Sequence, residues 1–167
     1  MALSFLVDRA LSEVLGLLDR LYGEAVQALD AAFSGDGGDR VARHCREAER
    51  LRESIVEKGV EYLARFQPVA SELRRFVAYI EASYDLFRVS RYALETSRLI
   101  ARIPGGCRWG FLEEAVLKAR EMVDLAYRAL RGGDAGLARR VLDLDEAVDR
   151  YYLRALDSLS IRESSEH

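Results

Sequence analysis

Carboxylates at helical spacing are the groups in this sequence best arranged to do chemistry. Asp145 and Asp149 stand four residues apart with Glu146 beside the first, and Glu47 and Glu49 follow Cys45 in a similar segment. Residues i and i+4 of a helix lie one turn apart on the same face, so such a pair presents its oxygens together. Two pairs on adjacent helices would form a shallow, oxygen-rich patch suited to hard or borderline cations. A single pair is more simply a solvated helix face with ion partners such as Arg150.

Other combinations point to less. His44 adjoins Cys45, but neighbouring helix residues diverge by about 100° and do not easily share one ion. The two cysteines, Cys45 and Cys107, allow a redox pair; the simpler reading makes Cys45 a small core residue and places Cys107 in a loop. A ferritin-like two-metal centre needs Glu three residues before its histidine, whereas Val41 and Ser164 precede His44 and His167. Neither a G-x-x-x-x-G-K-[ST] loop nor a nucleophile with a base and an orienting residue can be found, so the sequence reads as that of a non-enzyme. The tyrosines and Trp109 are scattered in the manner of ordinary packing residues. Arg74, Arg75, Arg88 and Arg91 concentrate positive charge on one segment. Ion pairs with neighbouring helices are its simplest use, and anion or partner binding the alternative.

Composition narrows the classes further. The 167 residues carry 25 basic and 28 acidic side chains, a net charge of −3, and are 50% hydrophobic. A chain of this size buries roughly 70% of its unfolded surface in one core and needs no disulfide or metal to hold it. The charge balance supplies no general attraction to nucleic acid or to an anionic membrane. No stretch approaches the roughly 18 uninterrupted apolar residues of a membrane span. The segment from Met1 to Asp8 lacks a basic n-region and a long apolar stretch, so no signal peptide is expected and the location is cytoplasmic.

Apolar residues recur at helical spacing almost throughout. Leu11, Val14, Leu18, Leu21, Ala25, Ala28 and Ala32 alternate three and four apart, up to the Gly/Asp-rich stretch from Ser34 to Asp39. Val41, Cys45, Ala48, Leu51, Ile55, Tyr62 and Phe66 mark a second helix that must stop near Gln67-Pro68, with the proline in the first turn of the next helix. That third helix carries Val69, Leu73, Phe76, Ile80, Phe87 and Leu94 on its inner face, with Ser83, Ser90 and Ser97 allowing close approach. Ile103-Pro104-Gly105-Gly106 is the strongest break. A fourth helix follows with Leu112, Val116, Ala119, Val123, Ala126 and Leu130, then a Gly132-Gly133-Asp134 turn. A fifth carries Leu137, Val141, Leu144, Val148, Tyr151 and Ala155, and the polar tail 161–167 is expected to fray. No segment alternates like a strand. Short links between long helices predict an all-α, antiparallel bundle of five helices.

A weak repeat runs through this pattern: helix, Gly/Asp turn (Gly35-Asp36, then Gly133-Asp134), and a helix bearing carboxylates. The junction Phe66-Gln67-Pro68-Val69-Ala70-Ser71-Glu72-Leu73-Arg74-Arg75 resembles the QPVASDLR junction of the PhoU family of phosphate-uptake regulators. Asp85-Leu86, Arg88-Val89 and Tyr92-Ala93 are similar to that family's D-L-E-R-I-G-D-Y-A segment. The run from Asp134 to Asp149 is similar to its D-x-E-L-A-x-x-V-I-E-x-D-x-x-I-D. The resemblance spans most of the chain in the family's order.

The resemblance implies tandem three-helix repeats and a regulatory, non-enzymatic role. The expected partners are phosphate transporter subunits or their sensor protein, with no nucleic acid and no direct membrane insertion. A PhoU-like module serving another ion transporter is the alternative. Some members hold iron or other metals through E/D-x-x-x-D motifs, which implies iron, zinc or another divalent ion here. Of those motifs Asp145-x-x-x-Asp149 survives beside Glu146, the earlier one becomes Cys45 and Glu49, and Phe87 and Arg91 replace the third-helix pair. A metal reading therefore rests on Asp145, Asp149, Glu146 and Glu49, acting with a second chain. The expected organisation is a complete repeat over 1–104, a two-helix partial repeat over 105–160 packed on it, and the tail 161–167. A two-helix repeat leaves an apolar groove near Leu112, Val116, Val141 and Val148, so a homodimer covering that groove is expected.

Overall fold

The computed structural model describes residues 2–33, 38–103 and 110–164. Five α-helices run in chain order: α1 Ala2–Phe33, α2 Gly38–Phe66, α3 Ala70–Ile100, α4 Gly110–Gly132 and α5 Ala135–Ser164. The all-α class agrees with the sequence pattern, and no strand occurs among the described residues. The turn at Gly35-Asp36, the break at 104–106, Cys107, Trp109, the Leu112 side chain and His167 lie outside the described residues. Two compact units divide the chain, Met1–Gly106 and Cys107–His167.

In the first unit α1, α2 and α3 each pack on the other two. Their seams follow a strict three–four alternation. Val7, Leu11, Val14, Leu18, Leu21, Ala25, Ala28 and Ala32 are all buried along α1. Phe76, Tyr79, Ser83, Leu86, Ser90, Ala93 and Ser97 are buried along α3. A repeat of 3.5 residues per turn keeps one stripe facing its neighbours over the full length of a long helix. The serines cost little there because Ser83 Oγ donates to Ile80 O at 2.6 Å and Ser90 Oγ to Phe87 O at 2.7 Å. Their hydroxyls are satisfied within α3, and their small size lets the helices close. The bundle is thinnest where Ala28, Ala31, Ala32, Val41 and Ala93 form one cluster. Gly59 plays a comparable part in α2, since a Cβ there would stand 2.7 Å from Ile80 Cδ1.

Three expectations need correction. Pro68 lies in the link, not in the first turn of α3, which starts at Ala70. Gln67 closes α2 with a positive φ of 46° while its N–H donates to Leu63 O at 3.1 Å, a one-residue left-handed cap. Val69 and Leu73, placed on the inner face by their spacing, are 71% and 41% exposed. The buried line instead passes through Phe76 and Tyr79, because the reversal at 67–70 sets the rotation of α3. Finally, α5 continues through Ser164 into the segment expected to fray.

Polar pairs tie α1 to α2. Glu13 meets both Lys58 Nζ and Tyr62 OH, and His44 Nδ1 lies 2.8 Å from Glu24 Oε2. Hydrogen bonds from Lys58 and Tyr62 hold the Glu13 carboxyl below its ordinary range, while Lys58 is pushed up by the same contact. A depressed carboxyl contributes stability above its unfolded value of about 4.3; that contribution is lost as pH falls through the folded value. Glu13→Gln is therefore expected to lower stability at neutral pH by less than about 1 kcal/mol, the range for an exposed pair. The deficit should be smaller at about pH 3, on the way down through the lowered folded value, than at neutral pH. Urea midpoints at both pH values check this, and an equal deficit at both would contradict it.

In the second unit α4 packs on α5. Gly133 takes φ 66° after α4, and Asp134 N donates back to Ala129 O at 2.9 Å, the bond pattern of a Schellman stop. Asp134 then caps α5, its Oδ1 accepting from Gly136 N at 2.8 Å and Leu137 N at 3.0 Å. Leu125, Tyr127 and Ala129 are buried, Val116, Val141 and Val148 are half-buried, and Leu117, Leu142, Tyr152 and Leu153 are exposed.

Candidate functional site

The seam of α2 has an arginine at its edge. Val41, Cys45, Ala48, Leu51, Ile55 and Gly59 are buried along it, and Arg52 is half-buried beside Leu51. An arginine beside an apolar seam must carry its guanidinium outward along its own stem. Its Nε is shielded and makes no hydrogen bond among the described residues. Its guanidinium carbon lies 5.6 Å from the Tyr84 ring and 5.9 Å from the Phe87 ring, both on α3. Aromatic faces replace water around the charge.

Tyr84 is shared. Arg88, one turn further along α3, stands 5.8 Å from the Tyr84 ring and 5.4 Å from that of Tyr92. It also donates from Nη2 to Tyr92 OH at 2.9 Å and lies 3.8 Å from Asp85. The sequence thus alternates Arg52, Tyr84, Arg88, Tyr92 in space as a ladder across α2 and α3. The bond from Arg88 lowers the Tyr92 phenol below its ordinary value, and the phenol raises Arg88 in return. Both tyrosines are about half exposed, at 50% and 53%. Beside them a groove between α2 and α3 is lined by Arg52, Val56, Ile80, Glu81, Tyr84 and Asp85. Tyrosine and arginine held rigid at a surface bring large contact area with little rotamer entropy left to lose, which is the composition of interface anchors.

The residues expected to carry a site are distributed differently. Glu49 is exposed on α2 in the first unit; Asp145, Glu146 and Asp149 are exposed on α5 in the second. Among the described residues no three His, Cys, Asp or Glu side chains converge to hold a metal ion. His44 pairs with Glu24, and Cys45 is buried and free. The arginines of α3 do not reach across to neighbouring helices. Arg88 pairs within α3, and Arg74, Arg75 and Arg91 are exposed and make no ion pair among the described residues. Arg52, Tyr84 and Tyr92 were not singled out by spacing, because Leu51 continues the apolar line of α2 past Arg52.

Residues 112–167 match the model of the PhoU domain. The chain is 32% identical over 152 residues to a protein of Pseudomonas aeruginosa named phosphate-specific transport system accessory protein PhoU homolog, covering 86% of this chain and 61% of that one. The chain is similar to the PhoU domain family over most of its length. Proteins of the same name from Pseudomonas putida and Archaeoglobus fulgidus are 32% and 27% identical, over 86% and 83% of this chain and 57% and 70% of theirs. The chain thus spans about six-tenths of the length of the Pseudomonas relatives. The three-helix bundle and the helix pair are consistent with the PhoU fold. Among the described residues no helix is long and apolar enough to cross a membrane.

Proposed function

We propose that this chain is a non-enzymatic adaptor in the control of phosphate uptake, acting in the cytoplasm by docking on a phosphate transporter or its sensor. The observation that carries this is the 32% identity over most of the chain to proteins named as accessories of the phosphate-specific transport system. The fold supports it: long helices present broad faces, and tyrosines and arginines stack on the exposed side of α3, a composition that suits binding to another macromolecule.

Affinity purification of the tagged chain from cells grown with and without phosphate tests the proposal. Phosphate permease or sensor subunits are expected above an untagged control, with recovery changing between the two conditions. Recovery of subunits of a different ion transporter, at both phosphate levels, would replace phosphate with another cargo.

A further inference from the structure

The outer face of α3 and the outer face of α5 are complementary in charge and similar in pattern. Tyr84, Arg88 and Arg91 follow one another at intervals of four and three on α3, all exposed. Leu142, Asp145, Asp149 and Tyr152 follow at three, four and three on α5, all exposed, with Leu142 68% and Tyr152 64% accessible. Each stripe thus has the spacing that lets one helix lie in the groove of another. On α5 Leu142 and Tyr152 flank the two aspartates, and on α3 Tyr84 precedes the two arginines, with Glu95 following and paired to Arg98. Neither Asp145, Asp149 nor Arg91 makes an ion pair among the described residues.

We propose that the arginine–tyrosine face of α3 is an assembly surface whose occupant is the acidic face of α5 from a second copy of this chain. Charge decides the pairing. Two copies of the α5 stripe laid together would bring four aspartates into one apolar contact, and two copies of the α3 stripe would do the same with arginines. Only the mixed pairing places Asp145 and Asp149 against Arg88 and Arg91, where planar guanidinium and carboxylate groups match. Leu142 and Tyr152 then bracket the ion pairs and exclude water, while the ladder through Tyr84 and Tyr92 holds Arg88 extended before the partner arrives.

Two charge-reversed variants test this, Arg88→Glu/Arg91→Glu and Asp145→Arg/Asp149→Arg, with circular dichroism confirming their helices. Light scattering of the unaltered chain at micromolar concentration is expected to return at least twice the 18.8 kDa chain mass. Each variant alone should associate at least about tenfold more weakly, as for other truncated or reversed interface charges. Mixing the two variants should restore association, because each α3 then faces a stripe of opposite sign on the other molecule. Arg91→Glu alone, with the ladder intact, serves if the double variant fails to fold and should weaken association in the same direction. A mass that stays at 18.8 kDa overturns the proposal, as does association unchanged by either reversal. So does a mixture no more associated than its components, the result expected if the stripes act within one chain. Association abolished by EDTA and indifferent to the reversals would assign the carboxylates to a bridging metal instead.

Discussion

Phe76→Ala is expected to cost about 4 kcal/mol of stability, within the range for emptying a fully buried aromatic site. Phe76 is wholly inaccessible and heads the fully buried side chains by size. Its ring meets that of Tyr62 on α2 with centroids 6.2 Å apart and planes tilted by 53°, so removal forfeits both burial and an aromatic contact. It sits nearly two turns past the reversal that joins α2 to α3. A domain stable by roughly 5–15 kcal/mol loses much of its margin in this way. Leu73→Ala, three residues earlier and 41% exposed, should cost less than about 1 kcal/mol, as surface changes do. Urea unfolding of both variants measures the contrast. Equal losses would mean that α3 is rotated from the orientation described, since only rotation could bury Leu73 as deeply as Phe76.

Ser90→Leu should be nearly as damaging, at about 3 kcal/mol, the upper part of the range for overpacking a filled core. Ser90 is fully buried at the middle of the α3 seam. A leucine there has no cavity to enter and must push α1 or α2 outward. Ser90→Ala supplies the control. Because the hydroxyl bonds only to Phe87 O of its own helix, its loss strands no partner on another helix, and the change should stay within about 1 kcal/mol, the usual worth of a satisfied hydrogen bond. If alanine proved as harmful as leucine, the hydroxyl and not its size would be what the seam requires. Circular dichroism melts of the two variants separate these cases.

Much of this architecture was legible in advance because it depends on local periodicity. The stripe from Leu11 to Ala32 reads directly as the buried face of α1, and Gly132-Gly133-Asp134 reads as a turn, to which the structure adds a stop at Gly133 and a cap at Asp134. Rotation was harder to read. α3 is apolar on two sides, with Phe76, Leu86 and Ala93 inside and Leu73, Val77, Tyr84, Tyr92 and Leu99 outside, so its spacing admits more than one inner face. The carboxylates on α5 were equally visible as a stripe, but a stripe carries no information about what it faces.

Chain order is enough to make Asp145 and Asp149 neighbours on one helix face, because a backbone hydrogen bond every four residues fixes that relation wherever the helix sits. It is equally enough to announce five helices and their turns, and to bring the PhoU family into view through the Gln67-to-Arg75 junction. Which side of α3 turns inward, and that Arg52 at the edge of the α2 seam stacks with Tyr84 and through it with Arg88, depends on how three helices close around one core. Packing of that kind joins residues more than thirty positions apart, such as Arg52 and Tyr84, and the free energy that sets it comes from burial shared among all three helices. No local spacing encodes it.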